Sequence, residues 1–168
     1  MIVWVNGAFG AGKTTTAGLL TKRLDGARVV DPKYVGHLLV SFVESRTGDF
    51  QDLPLWRHLV VQTVTGLAQH HPGTRIAPMS LINPEYRDEV FGGIRAAGVE
   101  LREVVLTLPE PQLRARIDAD HVETGPRHWR QDHVRQALTT FAGLIDAHLI
   151  DAPQAPEQVA DAVAAHVR

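Results

Sequence analysis

Residues 7–14 of the chain read GAFGAGKT, and residues 2–5, just before them, read IVWV. The octapeptide fits the pattern G-x-x-x-x-G-K-[ST], in which glycines let successive backbone N–H groups come close to a phosphate. The apolar run predicts a buried strand, and the pattern of residues 14–24 predicts a helix. Because a phosphate-binding loop needs this strand–loop–helix context, the sequence predicts a nucleoside triphosphate site at the start of the helix.

Each part of this loop has an expected role. Lys13 would reach the β and γ phosphates and act in catalysis, and the Thr14 hydroxyl would help to hold Mg²⁺. The glycine spacing G-x-x-G-x-G differs from the G-x-G-x-x-G of dinucleotide-binding proteins, so a hydride-transfer enzyme is disfavoured. The predicted nucleotide-binding residues are Gly7, Ala8, Gly10, Ala11, Gly12, Lys13, Thr14 and Thr15.

Apolar runs alternate with helical patterns along the whole chain, as in the βαβ units that build a parallel sheet. No internal repeat, low-complexity tract or linker divides the sequence, so residues 1–168 are expected to form one α/β domain. The predicted strands are residues 2–5, 28–30, 75–79, 99–108 and 148–150, and the predicted helices are residues 14–24, 32–44, 54–69, 83–98, 109–117, 131–142 and 155–167.

The composition excludes several classes of protein. The 168 residues include no cysteine, which removes disulfides, thiolate metal sites and a cysteine nucleophile. The net charge is −2, so the chain lacks the broad basic field of a nucleic-acid-binding protein. No apolar run approaches the roughly 18 residues of a membrane span, and no secretory signal is recognisable. A cytoplasmic protein without a nucleic-acid or membrane partner is therefore expected.

The carboxylate that phosphoryl transfer requires does not follow the usual pattern. No Asp follows the third or fourth predicted strand, and the Asn-Lys-x-Asp signature of guanine-specific proteins is absent. Asp31 follows the second strand and is the best-placed acid, because ligands of open α/β sheets bind beyond the carboxyl ends of the strands. It could be the base for an acceptor hydroxyl or a partner of Mg²⁺ through water. The alternative is a plain Asx-Pro turn, in which case Asp49 or Asp52 becomes the candidate acid.

Arginines mark a second candidate region. Residues 118–130 are mostly polar and contain Gly and Pro, which predicts a short lid over the phosphates. Guanidinium groups there would stabilise charge on the phosphoryl oxygens. The candidates are Arg114, Arg116, Arg127 and Arg130, of which Arg116 and Arg127 are predicted to be catalytic; each is alternatively a solvated surface residue.

The acceptor is expected to bind near the loop that precedes residue 54. An aromatic ring and a guanidinium at the start of a helix can bind a planar or anionic molecule, although Trp56 is alternatively a core residue. The predicted acceptor-binding residues are Asp31, Phe50, Trp56, Arg57 and Met79.

Together these features resemble the tunicamycin-resistance family of small P-loop ATP-binding proteins, which is related in fold to shikimate kinase and chloramphenicol phosphotransferase. The resemblance implies a three-layer P-loop kinase fold with a five-stranded parallel sheet in the order 2-3-1-4-5, and ATP and Mg²⁺ as cofactors. It also implies that Asp31 is the acceptor-side acid and Arg116 the basic residue of the helix before the lid. It covers nearly the whole chain and rests on residues 2–14, 31–32, 49–51, 54–57, 78–79, 84–86 and 129.

The leading hypothesis is an ATP-dependent O-phosphotransferase, a P-loop small-molecule kinase. The resemblance implies that its acceptor is a hydroxyl of a nucleoside-type antibiotic such as tunicamycin, so that modification gives resistance. Two alternatives stay open: a housekeeping nucleoside or metabolite kinase, and a non-catalytic ATP-binding module that sequesters a ligand. Either a monomer or a homodimer is compatible with the sequence.

Overall fold

Five strands form one sheet, whose order confirms the expectation. The computed structural model describes residues 1–45, 47–121 and 126–168. The strands are β1 (Ile2–Gly7), β2 (Arg28–Val29), β3 (Arg75–Pro78), β4 (Leu101–Thr107) and β5 (His148–Asp151). They lie in the order β2-β3-β1-β4-β5, and every neighbouring pair is parallel. β1 is therefore central, which places the loop that follows it in the middle of the carboxyl edge of the sheet.

Helices cover both faces of the sheet. Side chains alternate across a strand, so β1 contributes Val3 and Val5 to one core and Ile2 and Trp4 to another. Burial on both faces explains its uninterrupted apolar run and confirms the three-layer fold. The described residues form α1 (Lys13–Leu20), α2 (Lys33–Val40), α3 (Pro54–His70), α4 (Pro84–Ala96), α5 (Glu110–Ala119), α6 (Arg127–Asp132), α7 (Val134–Ala142) and α8 (Pro156–Val167). None of these helices is both long and apolar enough to cross a membrane.

Several predicted element ends were wrong. α1 stops at Leu20 rather than at residue 24, because the chain then turns towards Gly26, whose φ is 67°. The predicted helix 131–142 is two helices that meet at His133. Part of the predicted lid is helical, since α6 begins at Arg127. Lid residues 122–125 lie outside the described residues.

β1 is two residues longer than predicted. Asn6 and Gly7 pair with Val105 and Leu106 of β4. Strand pairing therefore continues up to Gly7, the first residue of the phosphate-binding loop. This pairing holds the start of the loop in the sheet.

Two histidines stack at the outer edge of the sheet, where β5 meets α8. The imidazoles of His148 and His166 lie 3.6 Å apart between centroids, with an angle of 8° between their planes. Partial burial lowers the pKa of His166 below its ordinary value of 6.5, and the nearby charges of His148 and Arg102 lower it further. The folded protein therefore resists protonation of this side chain.

This pair predicts a loss of stability in mild acid. The unfolded chain binds a proton at His166 more readily than the folded chain, so stability falls as the pH drops through the ordinary pKa towards the lowered one. We expect a lower melting temperature at about pH 5.5 than at about pH 7.5. The substitution His166→Gln should reduce this difference, and His58→Gln, on the exposed face of α3, should leave it unchanged. An identical pH dependence in wild type and His166→Gln would contradict the prediction.

Candidate nucleotide-binding site

Residues 7–14 run from the last residue of β1 through a tight loop into the first turn of α1, as the sequence predicts. Gly7 and Gly10 have φ angles of 137° and 79°. A Cβ on either residue would come within 2.7 Å of a backbone oxygen, that of Leu106 or Leu113 respectively, so only glycine fits. The first N–H groups of a helix lack partners within the helix, so the loop and the start of α1 form a cradle for an anion. Seven of the eight predicted nucleotide-binding residues lie within residues 7–14, and the eighth, Thr15, follows in the first turn of α1.

The ammonium group of Lys13 lies inside this loop. Its Nζ donates hydrogen bonds to Gly7 O at 3.1 Å and to Ala8 O at 2.9 Å. The same nitrogen lies 5.6 Å from the centroid of the Phe9 ring. The loop thus positions one positive charge at the edge of the cradle, which fits the phosphates of a nucleotide.

Buried polar side chains hold the start of the loop. Asn6 Oδ1 accepts hydrogen bonds from Gly7 N and Leu81 N, each at 3.0 Å, and Asn6 Nδ2 donates to Glu103 Oε1 at 2.8 Å. Ser80, after β3, donates from its Oγ to Gly7 O at 2.7 Å. The sequence motifs did not single out these residues, although Asn6 ends one apolar run and Ser80 follows another.

A buried ion pair orients the Asn6 amide. Arg87 of α4 donates from Nε to both carboxylate oxygens of Glu103 at 3.1 Å, and its Nη2 also contacts Glu103. The guanidinium packs over the ring of Phe91, 5.0 Å from its centroid. Because the Glu103 carboxylate accepts hydrogen bonds, the amide nitrogen of Asn6 faces it and the amide oxygen faces the loop. This pair acts on the loop through Asn6.

Asp31 lies at the carboxyl edge of the sheet, directly after β2. Its Oδ1 accepts a hydrogen bond from Lys33 N at 2.9 Å, which is the Asx turn named above as the alternative. Its Oδ2 lies 3.7 Å from Lys33 Nζ, and the side chain is 14% exposed. Asp31 also borders an apolar groove of about 240 Å³ between β2, α2 and α3. The turn engages one carboxylate oxygen, and the other forms an ion pair with the Lys33 side chain.

A second carboxylate lies in the loop before α3. Asp49 Oδ1 accepts a hydrogen bond from Gln51 N at 2.9 Å and caps a single 3₁₀ turn, Phe50–Asp52. Burial raises the pKa of Asp49; Asp52 adds to this, while the Gln51 hydrogen bond and the charge of His133 offset it in part. Asp49 is partly buried and remains the alternative to Asp31 as the candidate acid.

The predicted acceptor-binding aromatic residues lie mainly in the core. Trp56 is 0% exposed, and its Nε1 donates to Pro32 O at 3.2 Å, so it joins α3 to the start of α2. The Phe50 ring packs against the Trp56 ring and against Gly36. A Cβ on Gly36 would come within 2.6 Å of the Phe50 ring, so glycine is needed there. Met79 is buried in the same core. The core alternative for Trp56 is therefore the one that the structure favours.

Arg57 is also engaged within the protein. Its Nε donates to Glu89 at 2.5 Å and its Nη1 to Gln51 O at 2.6 Å. The guanidinium carbon lies 4.2 Å from the centroid of the Tyr86 ring. These contacts fasten the loop of residues 49–52 to α3 and α4, which is a structural role.

The four candidate arginines fall into two groups. Arg114 bonds to Glu110 and Gln131, and the buried Arg130 bonds to Asp120, so both tie α5 to α6. Arg116 is exposed and lies beside the loop. Its Nη1 is 3.8 Å from the position that a Cβ would occupy on Gly12. Arg127 is exposed and donates to Asp120 O at 3.0 Å. Of the four, the structure brings Arg116 to the cradle.

Aromatic contacts connect α6 to the loop. The rings of Phe9 and Trp129 meet edge to face, 5.2 Å apart, and Trp129 stacks on His133 at 4.1 Å. α6 is thus packed against the loop through Phe9. The described part of the predicted lid therefore borders the cradle.

The described residues offer few protein ligands for a metal ion. No group of three or more His, Asp or Glu side chains within them is arranged to hold one. Thr14 is exposed in the first turn of α1. This fits Mg²⁺, which commonly takes one or two protein oxygens and completes its shell with phosphate oxygens and water.

Comparisons with known proteins agree with this geometry. The tunicamycin resistance protein of Deinococcus radiodurans is 26% identical, with 99% of this chain and 94% of that chain aligned and a TM-score of 0.77. A sugar kinase from Janibacter sp. HTCC2649 is 19% identical (99% and 93% aligned, TM-score 0.70), and the Mycobacterium tuberculosis APS kinase CysC in complex with AMPPNP and APS is 17% identical (99% and 96% aligned, TM-score 0.70). The last two show a shared fold.

The family assignment rests on a match to a family model that covers most of the chain. A family model described as an AAA domain matches residues 2–144, while no curated protein matches the sequence significantly. The match begins at β1 and runs through the loop, the sheet centre and α7. The chain therefore belongs to this AAA domain family and has the fold of P-loop kinases, and its resemblance to tunicamycin resistance proteins is confirmed.

Proposed function

We propose that this chain is an ATP-dependent O-phosphotransferase that acts on a hydroxyl group of a small molecule. The observation that carries the proposal is the cradle of residues 7–14 with two cations at its edge, Lys13 and Arg116. Positive groups at an anion-binding loop suit phosphoryl transfer, because charge on the transferred oxygens must be stabilised in the transition state. A purely structural loop would not need them.

Each residue has a proposed task. Bound ATP with Mg²⁺ would supply the phosphoryl group. Lys13 and the loop N–H groups bind the phosphates, Thr14 contributes an oxygen to the metal, and Arg116 stabilises charge on the transferred group. Asp31 accepts the proton of the acceptor hydroxyl through Oδ2, since Lys33 N engages Oδ1.

The proposed acceptor is a nucleoside-type antibiotic such as tunicamycin, inactivated by phosphorylation. The similarity to the Deinococcus radiodurans protein, at 26% identity over nearly the full length of both chains, supports this class. We further propose that the protein works in the cytoplasm as a monomer or homodimer, with neither nucleic acid nor a membrane as partner. A housekeeping kinase and an ATP-dependent ligand-binding module are the other outcomes that the following experiment distinguishes.

The first test is a phosphorylation screen over nucleoside antibiotics, nucleosides and sugars. We expect mass spectrometry to show one added phosphoryl group on a nucleoside antibiotic in the presence of ATP and Mg²⁺. Lys13→Met should abolish most of this product while the protein stays folded, because it removes the charge at the phosphates. Lys22→Met, exposed beyond the end of α1, is the matched control. ATP-dependent binding of an unmodified antibiotic would contradict catalysis.

Asp31→Asn separates two roles of this side chain. Asparagine can still accept the hydrogen bond from Lys33 N, so the Asx turn should persist, but it cannot take a proton. We expect turnover to fall by about 10²–10⁴-fold with little change in ATP affinity if Asp31 is the base. A clear loss of ATP·Mg²⁺ affinity would indicate a role at the metal instead. Turnover within about threefold of wild type would mean that Asp31 only forms the Asx turn, and Asp49 would then be the candidate base.

Arg116→Ala should lower turnover more than ATP affinity. Its guanidinium lies beside Gly12 and would meet charge that develops in the transition state. We expect a fall in turnover of about 10²-fold. Arg135→Ala, which removes an exposed arginine paired with Glu110, is the control and should retain full activity. Equal turnover in the two variants would mean that Arg116 is a surface residue without a role in catalysis.

A further inference from the structure

A buried serine lies directly against the phosphate-binding loop. Ser80 is 2% exposed and donates from Oγ to Gly7 O at 2.7 Å. Its own carbonyl accepts from Gln51 Nε2 at 3.1 Å, and the next residue, Leu81, donates from its backbone N to Asn6. The backbone on both sides of the serine is therefore fixed, and its hydroxyl is held towards the loop.

The Gly7 carbonyl receives two hydrogen bonds, one from Ser80 Oγ and one from Lys13 Nζ at 3.1 Å. A carbonyl oxygen has two lone pairs, so both donors fit at once. To reach the β and γ phosphates, however, Lys13 must turn its ammonium group away from this carbonyl. Gly7 is buried, and a buried carbonyl without any donor is costly.

We propose that Ser80 is a positioning residue for Lys13. It keeps the Gly7 carbonyl hydrogen-bonded when the ammonium group turns to the phosphates, and so lowers the free-energy cost of that turn. This inference rests on the nucleotide site of the proposed function. It accounts for the hydroxyl group at a point where the sequence has no acid after β3.

The task requires a neutral hydrogen-bond donor, which the hydroxyl supplies. A carboxylate at residue 80 could not donate to Gly7 O, and its charge would hold the ammonium group of Lys13 back. With alanine at residue 80, Lys13 would be the remaining one of these two donors to Gly7 O. Turning its ammonium group to the phosphates would then leave this carbonyl without either donor, which is costly. Ser80 thus acts on the nucleotide through Lys13 without touching it.

A merely structural role for Ser80 makes a different prediction. If the hydroxyl only clamps β3 to β1, its loss should distort the whole loop and weaken every nucleotide that binds there. If it serves Lys13, only nucleotides that draw Lys13 away from Gly7 should be affected. ATP carries the β and γ phosphates that Lys13 contacts, whereas AMP does not.

The experiment therefore measures ATP and AMP dissociation constants by calorimetry, with the full chain and no acceptor. For Ser80→Ala we expect the ATP constant to rise by about 5- to 50-fold and the AMP constant to change by less than about twofold. Ser41→Ala, which removes an exposed hydroxyl that donates to His37 O, is the matched control and should change neither. Melting temperatures verify that each variant is folded.

A second comparison uses Lys13 itself. In a Lys13→Met background no ammonium group leaves Gly7 O, so adding Ser80→Ala should change ATP affinity by less than about twofold. Should Ser80→Ala fail to fold, Ser80→Cys keeps a near-isosteric but weaker donor, and it should weaken ATP by less than tenfold and spare AMP. No other thiol is present to interfere.

Equal weakening of ATP and AMP binding in Ser80→Ala, or an unchanged ATP affinity in this variant, would overturn the inference. Equal effects of Ser80→Ala in the wild-type and Lys13→Met backgrounds would overturn it as well. Failure of the wild-type protein to bind ATP would instead contradict the proposed function, so the two failures are distinguishable.

Discussion

The arrangement of the site depends on one buried amide, that of Asn6. It connects the first peptide of the loop, the turn after β3 and the side chain of Glu103 on β4. A buried polar group that loses its partner costs about 1–3 kcal/mol, so the amide is held in the one orientation that satisfies all three contacts. That orientation determines how the chain leaves β1, and therefore where the cradle and the Lys13 ammonium lie relative to the sheet.

Burial separates structural cations from those available to a ligand. Arg57, Arg87 and Arg130 are buried, and each pairs with a carboxylate, because a charge removed from water needs a partner. Arg116 is exposed, and its Nη2 donates a long hydrogen bond of 3.4 Å to Ala152 O. It can turn to an anion without leaving a buried charge unpaired. The same sequence signal, an arginine near a polar loop, thus has two physical outcomes.

Local patterns by themselves determined the α/β class and the position of the phosphate-binding loop. The apolar run of residues 2–5, the glycine spacing after it and the alternation of strands with helices are short-range features, and each element follows from a few consecutive residues. The cap at Asn83, whose Oδ1 accepts from Glu85 N at 2.9 Å, is of the same kind. The strand order came from the resemblance to a known family, because periodicity does not say which strands pair.

Only the tertiary structure decided what the individual polar and aromatic side chains do. The hydrogen bonds of Ser80 to Gly7 and of Asn6 to Glu103 join residues 73 and 97 positions apart. Trp56, a plausible ligand contact by pattern, is a core residue because α2 and the turn before α3 close over it. A side chain's partner is set by segments that meet only when the sheet assembles, so no local pattern distinguishes a site residue from a core residue of the same type.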